Sequence, residues 1–108
     1  MLKTGALLIA RDAAGDALGC VAMRPLETHI CEMKRLYVAP AGRGQGLGKA
    51  LTLALIEAAR TSGYREMRLD TLPSMADAQK LYRALGFTEI APYYDSQIAG
   101  TVFMSLAL

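Results

Sequence analysis

The chain has 108 residues, 53% of them hydrophobic and 20% charged, and a formal net charge of +2. That is enough for one domain with one core and too apolar for a disordered chain. So small a positive charge is no argument for nucleic acid, two cysteines and one histidine make neither a disulfide framework nor a metal set, and no apolar run approaches a membrane-crossing length.

In chain order, residues 6–10 (Ala-Leu-Leu-Ile-Ala) form a short apolar run, which Arg11 and Asp12 end too early for a secretory leader. A turn signal over 12–16 and a second apolar run over 17–23 predict a β-hairpin, with Pro25 ending its second strand. Residues 30–38 form a third extended run. A strand period puts Glu32, Lys34, Leu36 and Val38 on one face and Met33, Arg35 and Tyr37 on the other, so neither face is cleanly apolar. A helix is expected from about 46 to 62, its apolar stripe made by Leu47, Leu51, Ala54, Leu55 and Ala58 and broadened by Leu53 and Ile56. Gly63 is its stop. A strand over 67–72 is broken by Pro73. A second helix over 77–85 puts Ala78, Leu81, Tyr82 and Leu85 inward and ends at Gly86. Strands over 87–90 and 101–106 flank a loop marked by Pro92, Tyr93, Tyr94, Asp95 and Gly100. The order β-β-β-α-β-α-β-β is an α+β, or mixed α/β, pattern in a single domain over 1–108. Cys20 and Cys31 are expected as free buried thiols in a reducing cytoplasm, with a disulfide left open if they fall on paired strands. His29 is expected in a loop.

Between the third strand and the first helix lie Gly42, Gly44, Gly46 and Gly48. Strand, glycine loop, helix is an arrangement that aims backbone N–H groups and a helix N-terminus at one point, which attracts anions and above all phosphate. Arg43 adds a fixed charge there. The spacing is G-x-G-x-G, not the dinucleotide G-x-G-x-x-G. Ala50 follows Lys49 where a nucleotide P-loop needs Ser or Thr. Arg-x-x-Gly-x-Gly, at Arg43, Gly46 and Gly48, does fit, and resembles the pyrophosphate loop of the GNAT acetyltransferases. A second segment, Leu81-Tyr82-Arg83-Ala84-Leu85-Gly86-Phe87, resembles the Leu-Tyr-x-x-x-Gly-Phe run that closes the acetyl-CoA site in the same family. The two occur in the family's order, joined by the strand at 67–72, and the resemblance covers roughly residues 17–106.

The resemblance implies a mostly antiparallel sheet with a splayed strand pair and flanking helices. It implies acetyl-CoA as cosubstrate, with no metal, and acetyl transfer to an amine by direct attack in a ternary complex. The cofactor-binding residues carried over are Leu36, Tyr37 and Val38 along the pantetheine arm, through main chain, and Arg43, Gly44, Gln45, Gly46, Leu47 and Gly48 around the pyrophosphate. Glu32 precedes Arg43 by eleven positions, the spacing at which the histone acetyltransferase branch carries its general base. The other reading is a solvated strand carboxylate paired with Lys34 or another basic residue. Tyr82 is the candidate acid for the departing thiolate; its other reading is core packing. Tyr93, Tyr94 and Asp95 either shape the acceptor site or form a surface turn. Two departures stand out. Met75 occupies the place of a frequent family Asn, which contacts the pantetheine amides. The chain also starts almost directly at the hairpin, without the family's usual N-terminal strand and helices, and a homodimer covering the exposed sheet is expected. The acceptor is a small-molecule or protein amine, with no nucleic acid or membrane partner. A non-catalytic acyl-CoA-binding or regulatory module is the alternative.

Overall fold

The computed structural model describes residues 5–108, with Arg35 described by its backbone alone. Its elements are β1 (Ala6–Arg11), β2 (Ala17–Glu27), β3 (Ile30–Val38), a 3₁₀ turn (Pro40–Gly42), α1 (Leu47–Thr61), β4 (Glu66–Thr71), α2 (Ala76–Ala84), β5 (Thr88–Ile90) and β6 (Val102–Ala107). The strands form one sheet in the order β1-β2-β3-β4-β6-β5. Only β3 and β4 pair in parallel, joined by α1 as a crossover; the other pairs are antiparallel. This is the mixed, mostly antiparallel α+β sheet expected from the sequence.

Directly opposed residues share a face, so the register divides the sheet. One face carries Val21, Met23, Cys31, Met33, Met67, Leu69 and Met104. These pack with Leu51, Leu55, Ile56 and Ala59 of α1 and with Tyr82 and Phe87 into the core. The other face carries Leu7 and Ile9 at the β1 edge, then Arg24, Glu32, Lys34, Arg68, Asp70, Phe103 and Ser105. Cys20, opposite Tyr37, lies on that second face and Cys31 on the first. They cannot meet, and neither forms a disulfide; Cys31 is buried as expected, whereas Cys20 is only half-buried.

Three local expectations are corrected. Pro25 does not end the second strand: β2 runs on to Glu27. Pro25 sits opposite Cys31 beside a register shift at residues 25–27, an irregularity that tolerates a missing N–H. The alternation expected for β3 also fails. Cys20 opposes Tyr37 while Ala22 opposes Lys34, so β3 carries one extra residue, a β-bulge. The bulge moves Leu36 and Val38 to the core side with Met33, and Tyr37 to the side of Glu32 and Lys34. Finally, α1 buries Leu51, Thr52, Leu55, Ile56 and Ala59, while Leu53 is 45% exposed and Ala54 is exposed too. The stripe is narrower than the sequence suggests because one sheet face, not a ring of neighbours, covers it.

Leu55 is fully buried. Leu55→Ala is expected to cost about 2–5 kcal/mol of unfolding free energy, and Leu53→Ala roughly 0.5 kcal/mol or less. Urea unfolding of both variants checks the orientation of α1.

Candidate active site

The site begins where two strands part. β3 and β4 pair only at Ile30 with Glu66, Cys31 with Met67 and Glu32 with Arg68. Beyond that, β3 follows β2 as far as Val38 opposite Gly19, and β4 follows β6 as far as Thr71 opposite Val102. A cavity of about 160 Å³ opens between them, walled by Met33, Leu36, Leu69, Thr71, Met75 and Tyr82, with Lys34 and Asp70 at its polar side. A wider groove of about 460 Å³ continues outward between the end of β3 and the start of α2. Leu36, Val38, Arg43 and Gly48 form one wall and Met75 and Leu81 the other. Leu36 and Met75 line both spaces, so the two adjoin.

The outer end of the groove is the glycine loop. Gly44 (φ 79°) and Gly46 (φ 73°) take the left-handed conformation that side chains resist, and a Cβ at either would meet nothing within 4 Å. These glycines are therefore required by backbone shape and leave the surface over the loop bare. Gly46 caps α1 without a side-chain bond, and the first intrahelical bond runs from the Ala50 N–H to the Gly46 carbonyl, 3.0 Å. The amides of Leu47, Gly48 and Lys49 precede that ladder, which is the geometry an anion uses. Gln45 donates to the Ala41 carbonyl of the 3₁₀ turn at 3.1 Å, and Arg43 Nε donates to the Val38 carbonyl at 3.2 Å, which braces the loop against β3. These open donors and the bare glycines suit a diphosphate.

The inner end holds Tyr82, buried on α2 with its ring 5.7 Å from that of Phe87. Burial, helped by the negative charge of Asp70, pushes its hydroxyl up to about 12. Tyr82 thus serves packing and lines the cavity at once; the two sequence readings are not exclusive.

Glu32 is 1% exposed and is not a solvated carboxylate. Arg24 Nε donates to Oε1 at 2.8 Å, Lys34 Nζ lies 3.5 Å from the same oxygen, and the Tyr93 hydroxyl donates to Oε2 at 2.5 Å. It does not line the cavity. The carboxylate that does is Asp70, which sequence reasoning missed. It accepts from Lys34 at 3.2 Å and from the Tyr94 hydroxyl. Burial pulls Asp70 upward, but the bonds from Tyr94 and Lys34 and the Lys34 charge outweigh it and hold the carboxyl below its usual range. Lys34 therefore bridges both acids. Tyr93 and Tyr94 pack edge-on to Phe103, centroids 5.1 and 5.0 Å away, which folds their loop down over the sheet. Burial and the bond to Glu32 push Tyr93 far up. The bond to Asp70, then burial, raises Tyr94 to about 12. Asp95 is exposed. A signal for Asp70 existed: it falls on the same strand phase as Arg68, facing away from Met67 and Leu69. Among the described residues no cluster of His, Cys, Asp or Glu is placed to hold a metal ion.

A glycine loop, a splayed strand pair and a cavity closed by the Leu-Tyr-x-x-x-Gly-Phe segment together define the fold and site. The sequence profile of the acetyltransferase (GNAT) family matches residues 2–87, and the chain belongs to that family. An uncharacterized N-acetyltransferase of Schizosaccharomyces pombe is 45% identical over 105 residues, covering 96% of this chain and 64% of that protein. The chain therefore spans less than two thirds of this relative's length. Among solved structures, a Klebsiella pneumoniae protein assigned as an acyl-CoA N-acyltransferase superposes with a TM-score of 0.89 at 35% identity, covering 97% of this chain and 73% of that one. A GNAT family acetyltransferase from Elizabethkingia anophelis, solved with acetyl-CoA bound, shares the fold with a TM-score of 0.82 at 22% identity, covering 97% and 77%. Among the described residues no helix is long and apolar enough to cross a membrane.

Because Tyr82 is raised from 10 to about 12, its contribution to stability is complete below pH 10 and is lost as pH rises toward 12. Unfolding free energies of wild type and Tyr82→Phe, compared from pH 9 to 12, should show a loss in wild type that the variant lacks in part.

Proposed function

We propose that the protein transfers an acetyl group from acetyl-CoA to an amine within a ternary complex. The observation that carries this reading is the succession of adjoining spaces from the glycine loop, past Leu36 and Met75, to the cavity shared by Tyr82 and Asp70. In this reading the main-chain amides of residues 43–48 grip the pyrophosphate. Arg43 sets the end of β3 relative to the loop. The main chain of Leu36, Tyr37 and Val38 lies along the pantetheine arm, where β3 has no partner strand on its β4 side, and an N–H near Val38 polarises the thioester carbonyl. Tyr82 stays protonated at neutral pH and gives its proton to the departing sulfur.

An amine attacks only after losing its ammonium proton. Asp70 faces the cavity and accepts a hydrogen bond from the incoming nitrogen, while the charge of Lys34 beside it favours the neutral amine. Glu32 acts through this network as a positioning residue: it holds Lys34, Arg24 and Tyr93, and Lys34 in turn holds Asp70. The proton leaves through water at the cavity mouth. Leu7, 61% exposed, and Ile9 at the β1 edge support association of two copies. The free thiols suit a reducing cytoplasm. One observation favours the binding-module alternative: Glu32, the carboxylate at the general-base spacing, is buried and saturated by donors.

Thiol release separates the two. Wild type with acetyl-CoA and a panel of primary amines should liberate coenzyme A. Tyr82→Phe should lower kcat by roughly 100-fold or more with coenzyme A affinity unchanged. Coenzyme A binding without turnover, unaltered by Tyr82→Phe, would establish the module instead. Glu32→Gln should displace the acid limb of the pH–rate profile, a change that simple loss of packing does not produce. In sedimentation at micromolar concentration the dimer should appear, and a stable monomer would remove it.

A further inference from the structure

Thr71, the last residue of β4, is 4% exposed, and among the described residues its Oγ1 is the buried side-chain polar atom that has no hydrogen-bond partner. Its main chain is committed to the ladder opposite Val102. A buried hydroxyl left unpaired costs on the order of 1–3 kcal/mol, and such groups call for an explanation. The fold does satisfy the other buried threonine: the Thr52 hydroxyl donates to the Gly48 carbonyl at 2.7 Å. Thr71 lines the cavity between β3 and β4 together with Leu36 and Met75, the residues that this cavity shares with the outer groove.

We propose that the Thr71 hydroxyl is a ligand-binding group, which hydrogen-bonds an amide of the pantetheine arm at the inner end of its path. The proposal rests on the coenzyme A reading above. The surroundings argue for an amide. Met33, Leu36, Leu69 and Met75 line the walls, and none of these side chains offers a strong donor or acceptor. Asp70 and Lys34 already bond to each other. A hydroxyl both donates and accepts, so it can meet either end of an amide. In this proposal rotation about χ1 brings the oxygen to the cavity, with no change of backbone required.

Calorimetric titration tests this with two ligands, coenzyme A and adenosine 3′,5′-bisphosphate, which has the nucleotide end and no pantetheine. For Thr71→Val, coenzyme A should bind about tenfold more weakly, with the bisphosphate within about twofold of wild type. Thr71→Ser, which keeps the hydroxyl, should restore coenzyme A affinity. Thr71→Ala gives a second hydroxyl-free variant if valine disturbs folding. Unchanged coenzyme A affinity in the hydroxyl-free variants overturns the proposal, as does an equal loss for both ligands. Absence of coenzyme A binding to wild type overturns the underlying reading itself, and it is seen before any variant is made.

Discussion

Three residue pairs hold β3 to β4, and then each strand follows a different neighbour. Everything functional in this molecule depends on that parting. A paired sheet has no space between its strands and no unused backbone donors. A parted one has both, and the core on either side is tight enough to keep the gap in shape. Antiparallel pairing of β4 with β6 through all six of its residues pulls it one way. Pairing of β3 with β2, through a bulge, pulls it the other. The gap opens toward the C-terminal ends of the two strands, the same end at which the glycine loop leaves β3 and α1 begins.

On the helix-free face the same strands carry charges instead of apolar side chains. Glu32 and Asp70 sit on neighbouring strands with Lys34 between them, Arg24 on the flank and two tyrosine hydroxyls from the loop after β5. A buried carboxylate is tolerable only with several donors, and Glu32 has three. The cavity-facing acid is the less buried one. The arrangement sorts the two carboxylates by access: Glu32 is enclosed by the charge network, and Asp70 lines the cavity.

The chain belongs to the GNAT family and shares its fold with the Klebsiella pneumoniae protein. The proposed reading rests on the chemistry along the groove wall. Met75 offers no amide, Thr71 offers an unused hydroxyl, and Asp70 supplies a carboxylate at the cavity rather than behind it.

Much of this was legible in the sequence. Glycine spacing located the loop before α1, because its left-handed backbone favours glycine at Gly44 and Gly46. Apolar runs, helical periodicity and turn signals located the strands and both α-helices to within a few residues, but not the 3₁₀ turn at Pro40–Gly42. Tyr82 was found through its motif. The tertiary structure alone decided the rest. A bulge in β3 reversed the faces of Leu36, Tyr37 and Val38, and no local pattern marks a bulge that is set by the partner strand. Asp70 and Glu32, 38 positions apart, became partners through Lys34 only once β3 lay beside β4. Tyr93 and Tyr94 were turned from surface candidates into donors by folding onto Phe103. Local sequence fixes which conformation a segment prefers; which charged side chains end up within hydrogen-bonding reach is set by strand order and register, and these are long-range choices that no single segment contains.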